Sequence, residues 1–279
     1  MIAHKLGLRC LVLTGALLLA ANAALAQDFR IDTEVFVGPF SDKDKDKEPA
    51  AEMLTIFAND MVYDFLLTAP REITLFDPLR GRFTLLDETR KVKASLSTQD
   101  VLAYVLALDS HAMESKDPLF AFAAHPQFET KSEEVHEKGQ SLVRVTLAGN
   151  PLSYVALGQR PERPDAARSF RQFADWFARL NSARPGNLPP AARMALNQSL
   201  ESSGVLPLEV TRTIVASGTF GREKKLEVKT RHLVNWTLSG EDRKRVEHAG
   251  DCLAKFTAVS FDEYRTPTAT AAIPKQARR

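Results

Sequence analysis

The most reactive pair of side chains in the sequence is Cys252 and His248, which lie four positions apart near the C-terminal end. A thiolate beside an imidazole can act as a nucleophile with its general base. The members of such a site usually converge from distant segments, and no loop that could form an oxyanion hole accompanies this pair. The spacing therefore favours a single partly buried thiol, and the sequence predicts no catalytic residue.

Two acidic segments could bind a metal ion. His136 lies among three glutamates within residues 133–137, but no second histidine converges on them, so a solvated turn is favoured. The three alternating aspartates of residues 42–46 resemble the start of a calcium loop, yet Lys47 stands where glycine is required and Met53 where the bidentate glutamate should be. The sequence therefore predicts neither a metal site nor a cofactor.

Asp64 is the polar exception in an otherwise apolar stretch that starts at Met61. It is either a buried functional carboxylate or a side chain that hydrogen bonds to a neighbouring turn, and the second alternative is the more common arrangement. Neither a glycine-rich phosphate loop nor a GxSxG motif is present. Pairs of carboxylates are too numerous to indicate a glycoside hydrolase, so hydrolytic activity is left without support.

Aromatic residues on one predicted helix are the best candidates for a ligand-binding surface. Phe170, Phe173 and Phe177 fall on one face at helical spacing, with Trp176 at its margin. The face either packs permanently on a sheet or forms a lid over an apolar cavity. We take these four side chains as the predicted ligand-binding residues.

The predicted fold is organised around a β-meander. Apolar and β-branched segments alternate with short polar breaks from Met53 to Leu96, and residues 77–81 (DPLRG) suit a hairpin turn. A helix capped by Ser97 or Thr98 should follow, with Val101, Leu102 and Leu106 in its buried stripe. Further strands are predicted over residues 128–135, 141–147, 152–157 and 206–215, then a hairpin over 224–238, a charged turn at 240–245 and a last strand over 256–261.

The two ends of the sequence differ in composition from the part between them, and the N-terminal end predicts where the protein is located. Residues 1–26 have the basic start, apolar middle and small-residue cleavage site of a secretory signal, which predicts a periplasmic or secreted protein with no membrane span after cleavage. The mature domain then covers residues 27–265, and residues 266–279 have the composition of a disordered tail.

Cleavage of that signal changes the charge and the cysteine count. The chain has 37 Lys+Arg and 35 Asp+Glu, and loss of Lys5 and Arg9 leaves 35 of each, so nothing favours nucleic-acid binding. With Cys10 also removed, Cys252 remains alone, and an intramolecular disulfide is impossible.

A family resemblance is carried by residues 73–78 (ITLFDP) and 83–85 (FTL). This strand, aspartate-proline turn and return strand resemble those of the periplasmic lipoprotein-carrier family with the LolA/LolB-like fold. The resemblance implies an open, incomplete barrel whose concave apolar face holds acyl chains beneath helices. Together with the strand pattern, it predicts an α+β fold, with one strongly curved antiparallel sheet as an open half-barrel and about three helices on one side.

The sequence leaves three functions open. The first is a non-catalytic exported carrier or chaperone for a lipid, lipoprotein or other lipidated ligand held in an apolar cavity. The second is an envelope scaffold or sensor that binds another protein along a sheet edge. The third is an envelope hydrolase. The predicted partners are therefore a lipid or lipoprotein, or another envelope protein.

Overall fold

The computed structural model describes residues 28–40, 48–137, 139–184, 186–217 and 223–266. The predicted signal segment, the aspartates of residues 42–46 and all of the predicted tail after Thr266 lie outside the described residues. None of the helices in the described ranges is long and apolar enough to cross a membrane.

The described residues form one large sheet and six helices. The strands are β1 Phe29–Val37, β2 Ala51–Ala58, β3 Met61–Leu66, β4 Glu72–Asp77, β5 Arg82–Asp87, β6 Val92–Ser97, β7 Glu129–Glu137, β8 Gln140–Ala148, β9 Leu152–Gln159, β10 Leu206–Ser217, β11 Glu223–Asn235 and β12 Thr257–Ala258. The helices are α1 Thr98–Glu114, α2 Pro118–Ala124, α3 Ala166–Ser182, α4 Ala191–Ser202, α5 Gly240–Lys255 and α6 Phe261–Arg265.

The 12 strands lie in the order β12-β6-β5-β4-β3-β2-β1-β11-β10-β9-β8-β7. Every pairing is antiparallel except the short parallel one between β12 and β6. This confirms the α+β class and the single, mostly antiparallel sheet. The predicted half-barrel with about three helices is wrong in detail, because the sheet is neither closed nor strongly curled and six helices accompany it.

The meander from β2 to β6 is confirmed, and its turns explain its register. At the β4–β5 turn the Asp77 carboxylate accepts a hydrogen bond from the Arg80 backbone N–H at 2.9 Å. Gly81 has φ +56°, and a Cβ at this position would lie 2.8 Å from the Thr98 hydroxyl oxygen. Glycine is therefore required both by the backbone and by the close approach of the helix that follows.

Helices cover both faces of the sheet, not one side as predicted. Successive residues of a strand point to opposite faces. Phe76 of β4 belongs to the core cluster that contains Phe173 of α3, whereas Leu75 belongs to the cluster that contains Ala249 of α5. The face toward α3 and α4 is called the inner face below, and the face toward α5 the outer face.

The C-terminal part differs most from the prediction. The hairpin expected over residues 224–238 is the single strand β11, which pairs with both β1 and β10. The charged turn expected from Gly240 is the start of α5, where Ser239 and Asp242 form a capping box. The expected last strand over residues 256–261 is reduced to β12, and α6 follows it.

Helix α1 is only partly buried. Val101 is fully buried, but Leu102 and Leu106, which were expected in the same stripe, are 41% and 66% exposed. The predicted cap is confirmed, since the Ser97 side chain accepts a hydrogen bond from the Asp100 backbone N–H. Helix α1 is therefore held at its N-terminus while an apolar strip faces solvent.

Candidate functional site

The four predicted ligand-binding residues lie in or against the core beneath α3. Phe170 and Phe173 are 9% and 5% exposed, and Trp176 and Phe177 pack partly buried on the same cluster. The Phe173 ring lies 5.9 Å from that of Phe57 and 5.2 Å from that of Phe177, measured between centroids. The aromatic face of α3 is thus continuous with the aromatic residues of the inner face.

Phe173 lines an apolar pocket at the N-terminal half of α3. The pocket has a volume of about 300 Å³ and lies between the helix and strands β1 to β4. Ser169 and Gln172 complete the helix side. The sheet side is largely aromatic or aliphatic, with Phe29, Phe57, Met61, Val62 and Phe76 among its lining residues.

A second pocket, of about 420 Å³, lies at the C-terminal end of the same helix. It is bounded by the end of α3, the start of α4 and strands β9 to β11. Tyr154 and Arg212 stand opposite each other on β9 and β10, so their side chains share the inner face. Arg193 enters from the first turn of α4. We call this space the arginine pocket.

The two guanidinium groups in the arginine pocket have no carboxylate partner among the described residues. The carboxylates of Glu72, Asp175 and Glu201 are instead paired with Arg171 or Arg184. The Nε atom of Arg212 is buried and has no hydrogen-bond partner within the described part of the chain. Buried donors without partners are rare in folded proteins, which makes this atom the most informative one in the pocket.

Burial and neighbouring charges shift the pKa values of the ionisable groups that line the arginine pocket. Burial lowers the pKa of Arg193, and the like charge of Arg212 lowers it further, against the opposing effects of Tyr154 and Asp175. Burial raises the pKa of the Tyr154 hydroxyl, while Arg193 and Arg212 oppose that rise. Two neighbouring cations in a partly dehydrated space create a site that favours an anion.

The position of Arg193 is fixed by an amide bridge to α3. Arg193 Nε donates to Asn197 Oδ1 at 3.0 Å, and Asn197 Nδ2 donates to Asp175 Oδ1 at 2.9 Å. Asn197 is 1% exposed, so the bridge is shielded from solvent. Arg193 therefore keeps its terminal nitrogens available while its stem is held in place.

His232 lies close to the arginine pocket on β11. Its Nδ1 is 2.9 Å from the Thr33 hydroxyl, and its Nε2 is 3.0 Å from the hydroxyl of Thr230, which lines the pocket. Burial, together with the charge of Arg193, lowers the pKa of His232 to about 3. The imidazole is therefore neutral at pH 7.

Asp64 is buried on the inner face and accepts a hydrogen bond from the Thr55 hydroxyl at 2.6 Å. The partner is on the adjacent strand β2, so the expected bond to a neighbouring turn is not the one found. Burial raises the Asp64 pKa to about 6, and nearby Glu72 adds to the rise. Asp64 lines neither the apolar pocket nor the arginine pocket.

The residues considered first for chemistry lie on the other face. Cys252 is buried at 4% exposure, and its Sγ is 3.4 Å from His248 Nε2. Glu88 Oε1 lies 2.8 Å from the same Nε2. Burial raises the pKa of the Cys252 thiol, and the charge of Glu88 raises it further, which disfavours a free thiolate nucleophile.

The glutamates near His136 are ordinary exposed ion pairs. Glu133 pairs with Lys131 at 2.6 Å, and Glu137 pairs with Arg144 at 2.7 Å. Their carboxylates are directed to cations on β7 and β8, as the prediction of a solvated hairpin end implies.

The sequence reasoning missed the arginine pocket, although one signal was present. In β10 the polar side chains of Glu209, Thr211 and Thr213 alternate with Val210 and Ile214. Arg212 falls in the apolar half of this alternation, where a charged residue requires an explanation.

Comparisons with known proteins give no family assignment. No family model matches the chain, and no curated protein matches it. Two solved structures of PNGF-II, in the P21 and C2 space groups, resemble it at 13% and 12% identity with TM-scores of 0.36 and 0.37. Each alignment covers 86% of this chain but only 32% of the other, so the chain spans about a third of that length. Similarity at this level carries no argument about function.

Proposed function

We propose that this chain is a non-catalytic, exported binding protein for an anionic amphiphile. The anionic group would lie in the arginine pocket, and the apolar part would lie along the aromatic face of α3. This keeps the lipid or lipidated ligand predicted from the sequence and adds a carboxylate or phosphate to its chemistry.

The observation that carries the proposal is the pair of guanidinium groups of Arg193 and Arg212 without a carboxylate partner. Keeping two like charges together in a partly dehydrated space costs free energy, and a bound anion offsets that cost. Guanidinium groups bind carboxylates and phosphates through parallel hydrogen bonds. Each such hydrogen bond to a charged group contributes about 1.5–3 kcal/mol.

The two pockets lie close enough to serve one ligand. Helix α3 contributes Phe173 to the apolar pocket and Ala178 to the arginine pocket. These residues are five positions apart, which corresponds to about 7.5 Å along a helix axis. An amphiphile with a short alkyl chain can span that distance, with its apolar end against the phenylalanines.

The first test is native mass spectrometry of the purified chain, before and after organic extraction. An extractable mass excess with the fragmentation of an anionic lipid is the expected result. A protein without bound mass is then titrated with sodium dodecanoate, with dodecanol as the uncharged probe. Absence of binding to either probe, with no extractable mass, would contradict the proposal.

Matched variants separate the anion from the alkyl chain. Arg212→Met keeps most of the side-chain length but removes the charge, and we expect dodecanoate affinity to fall at least about tenfold, the loss of one charge-assisted hydrogen bond. Dodecanol affinity should not change. The control is Arg168→Met, because Arg168 is exposed on α3 and lies outside both pockets. Equal losses of dodecanoate affinity in Arg212→Met and Arg168→Met would refute the role of the arginine pocket.

The alternatives have less support in the described residues. Edge strand β7 is mostly exposed and carries several charged residues, a composition that discourages pairing with a partner strand. A hydrolase needs a titratable group in contact with its substrate, and Asp64, whose raised pKa would suit a general acid, lines neither pocket.

A further inference from the structure

We propose a second site, on the outer face, where Glu88, His248 and Cys252 bind one divalent transition-metal ion such as Zn²⁺. The three residues each offer one donor atom, and these atoms all lie within 4.8 Å of one another. The site is independent of the pockets beneath α3 and of the ligand proposed for them.

The fold brings the donors together from two places. His248 and Cys252 are four positions apart on α5, so they share one face of the helix. That face packs on the sheet, with Ala249 and Cys252 in the core cluster of the outer face. Glu88 follows β5 in the turn to β6 and reaches the same point from the sheet side.

The geometry suits a metal ion better than a catalytic relay. In a relay the imidazole contacts its nucleophile through one nitrogen and its orienting carboxylate through the other. Here the Cys252 thiol and the Glu88 carboxylate both approach Nε2 of His248, at 3.4 and 2.8 Å. All three donor atoms thus point toward one another.

The distances are close to those of a zinc site. Tetrahedral zinc with ordinary bond lengths places sulfur about 3.6 Å from nitrogen and nitrogen about 3.4 Å from oxygen. The observed separations of 3.4 and 2.8 Å are shorter than these by about 0.2 and 0.6 Å, so the imidazole and the carboxylate would have to move apart slightly around the ion. His248 is exposed, so a small side-chain rotation is sufficient to admit the ion. Thiolate, imidazole and carboxylate are a donor set that zinc accepts.

The fourth coordination position would face a pocket of about 480 Å³ that Glu88 and His248 help to line. Arg71, Lys244 and Arg245 are on the same lining. Three protein ligands leave one position for an exogenous ligand, and the surrounding positive charge favours an anionic one.

The test is a metal titration of the full chain without a polyhistidine tag, followed by isothermal calorimetry with Zn²⁺ and absorption spectroscopy with Co²⁺. We expect one ion per chain and a thiolate-to-cobalt charge-transfer band. Cys252→Ser should remove the band and weaken Zn²⁺ binding at least about 100-fold, since loss of a ligand should exceed the effect of losing an outer partner. His248→Ala, at an exposed position, should weaken binding similarly without disturbing the core.

Asp251→Asn is the matched control, because Asp251 adjoins Cys252 but pairs with Lys255 at 3.0 Å and is not in the donor set. It should bind Zn²⁺ as the unaltered chain does. Absence of stoichiometric binding, unchanged binding in Cys252→Ser, or equal loss in Asp251→Asn would each overturn the proposal.

Discussion

Replacement of Asp64 by asparagine should reveal a pH dependence of stability that the unaltered protein conceals. Two buried groups on the inner face have strongly shifted pKa values. The two shifts change the free energy of unfolding in opposite directions as the pH rises. Burial raises the pKa of Asp64 to about 6, and burial lowers the pKa of His232 to about 3. In the unfolded chain the pKa values of Asp64 and His232 are about 3.9 and 6.5.

The signs follow from proton uptake in each state. His232 contributes stability that is present above the unfolded pKa of about 6.5 and is lost as the pH falls toward 3, because only the unfolded chain takes up the proton. Asp64 contributes stability that is present below about 3.9 and is lost as the pH rises toward 6, because the folded state retains the proton.

Between about pH 4.5 and 6 the two effects nearly cancel. Each proton difference changes the free energy of unfolding by about 1.4 kcal/mol per pH unit. In the unaltered chain this pair of groups should therefore leave the free energy of unfolding almost independent of pH over that range. In Asp64→Asn only the His232 effect remains, and the free energy of unfolding should rise by about 2 kcal/mol over the 1.5 units.

The assay is urea denaturation at half-unit pH intervals, with the m value compared throughout. Asparagine can still accept the hydrogen bond from Thr55, so the variant should fold. Asp60→Asn is the control, because Asp60 is exposed in the β2–β3 turn at φ +59°, a conformation that asparagine tolerates. Parallel profiles for Asp64→Asn and the unaltered chain would refute the reasoning.

Three further predictions concern local packing and capping. Gly158→Ala should lower the free energy of unfolding by about 1–3 kcal/mol, because its Cβ would lie 2.5 Å from Val205 Cγ2 and 3.1 Å from the Leu206 carbonyl oxygen. Gly250→Ala should instead raise it by about 0.5–1 kcal/mol, since that glycine is inside α5 with nothing within 4 Å. Ser239→Ala should cost about 1 kcal/mol by removing the cap of α5. Chemical denaturation measures all three, and a stabilising Gly158→Ala or a neutral Ser239→Ala would contradict the contacts described.

The meander could be predicted because its signals are local. The alternation within each strand and the turn at residues 77–81 decide neighbour pairing over short distances, and the observed register of β4 with β5 follows from them. The sequence predicts a charged turn over residues 240–245, where α5 begins, because charged residues dominate the first two turns of that helix. The capping box of Ser239 and Asp242 was visible in the sequence and would have corrected this.

The arginine pocket could be predicted only in part. The sequence shows Arg212 on the apolar half of β10, but nothing local indicates that Arg193 of α4 meets it. That meeting depends on the pairing of β10 with β9 and on the packing of α4, which are long-range features. The same holds for Glu88, which is 160 positions from His248 in the sequence.

The position of β1 explains why both inner-face pockets lie beneath one helix. β1 pairs with β2 on one side and β11 on the other, so it joins the meander of β2 to β6 to the later strands. Helix α3 lies across this junction, with Phe173 against Phe57 of β2 and its C-terminal end above β9 to β11. A junction between two sets of strands brings an aromatic surface next to a charged one, which neither set provides alone. The anionic amphiphile that we propose as the ligand has two ends that would match this pair of surfaces.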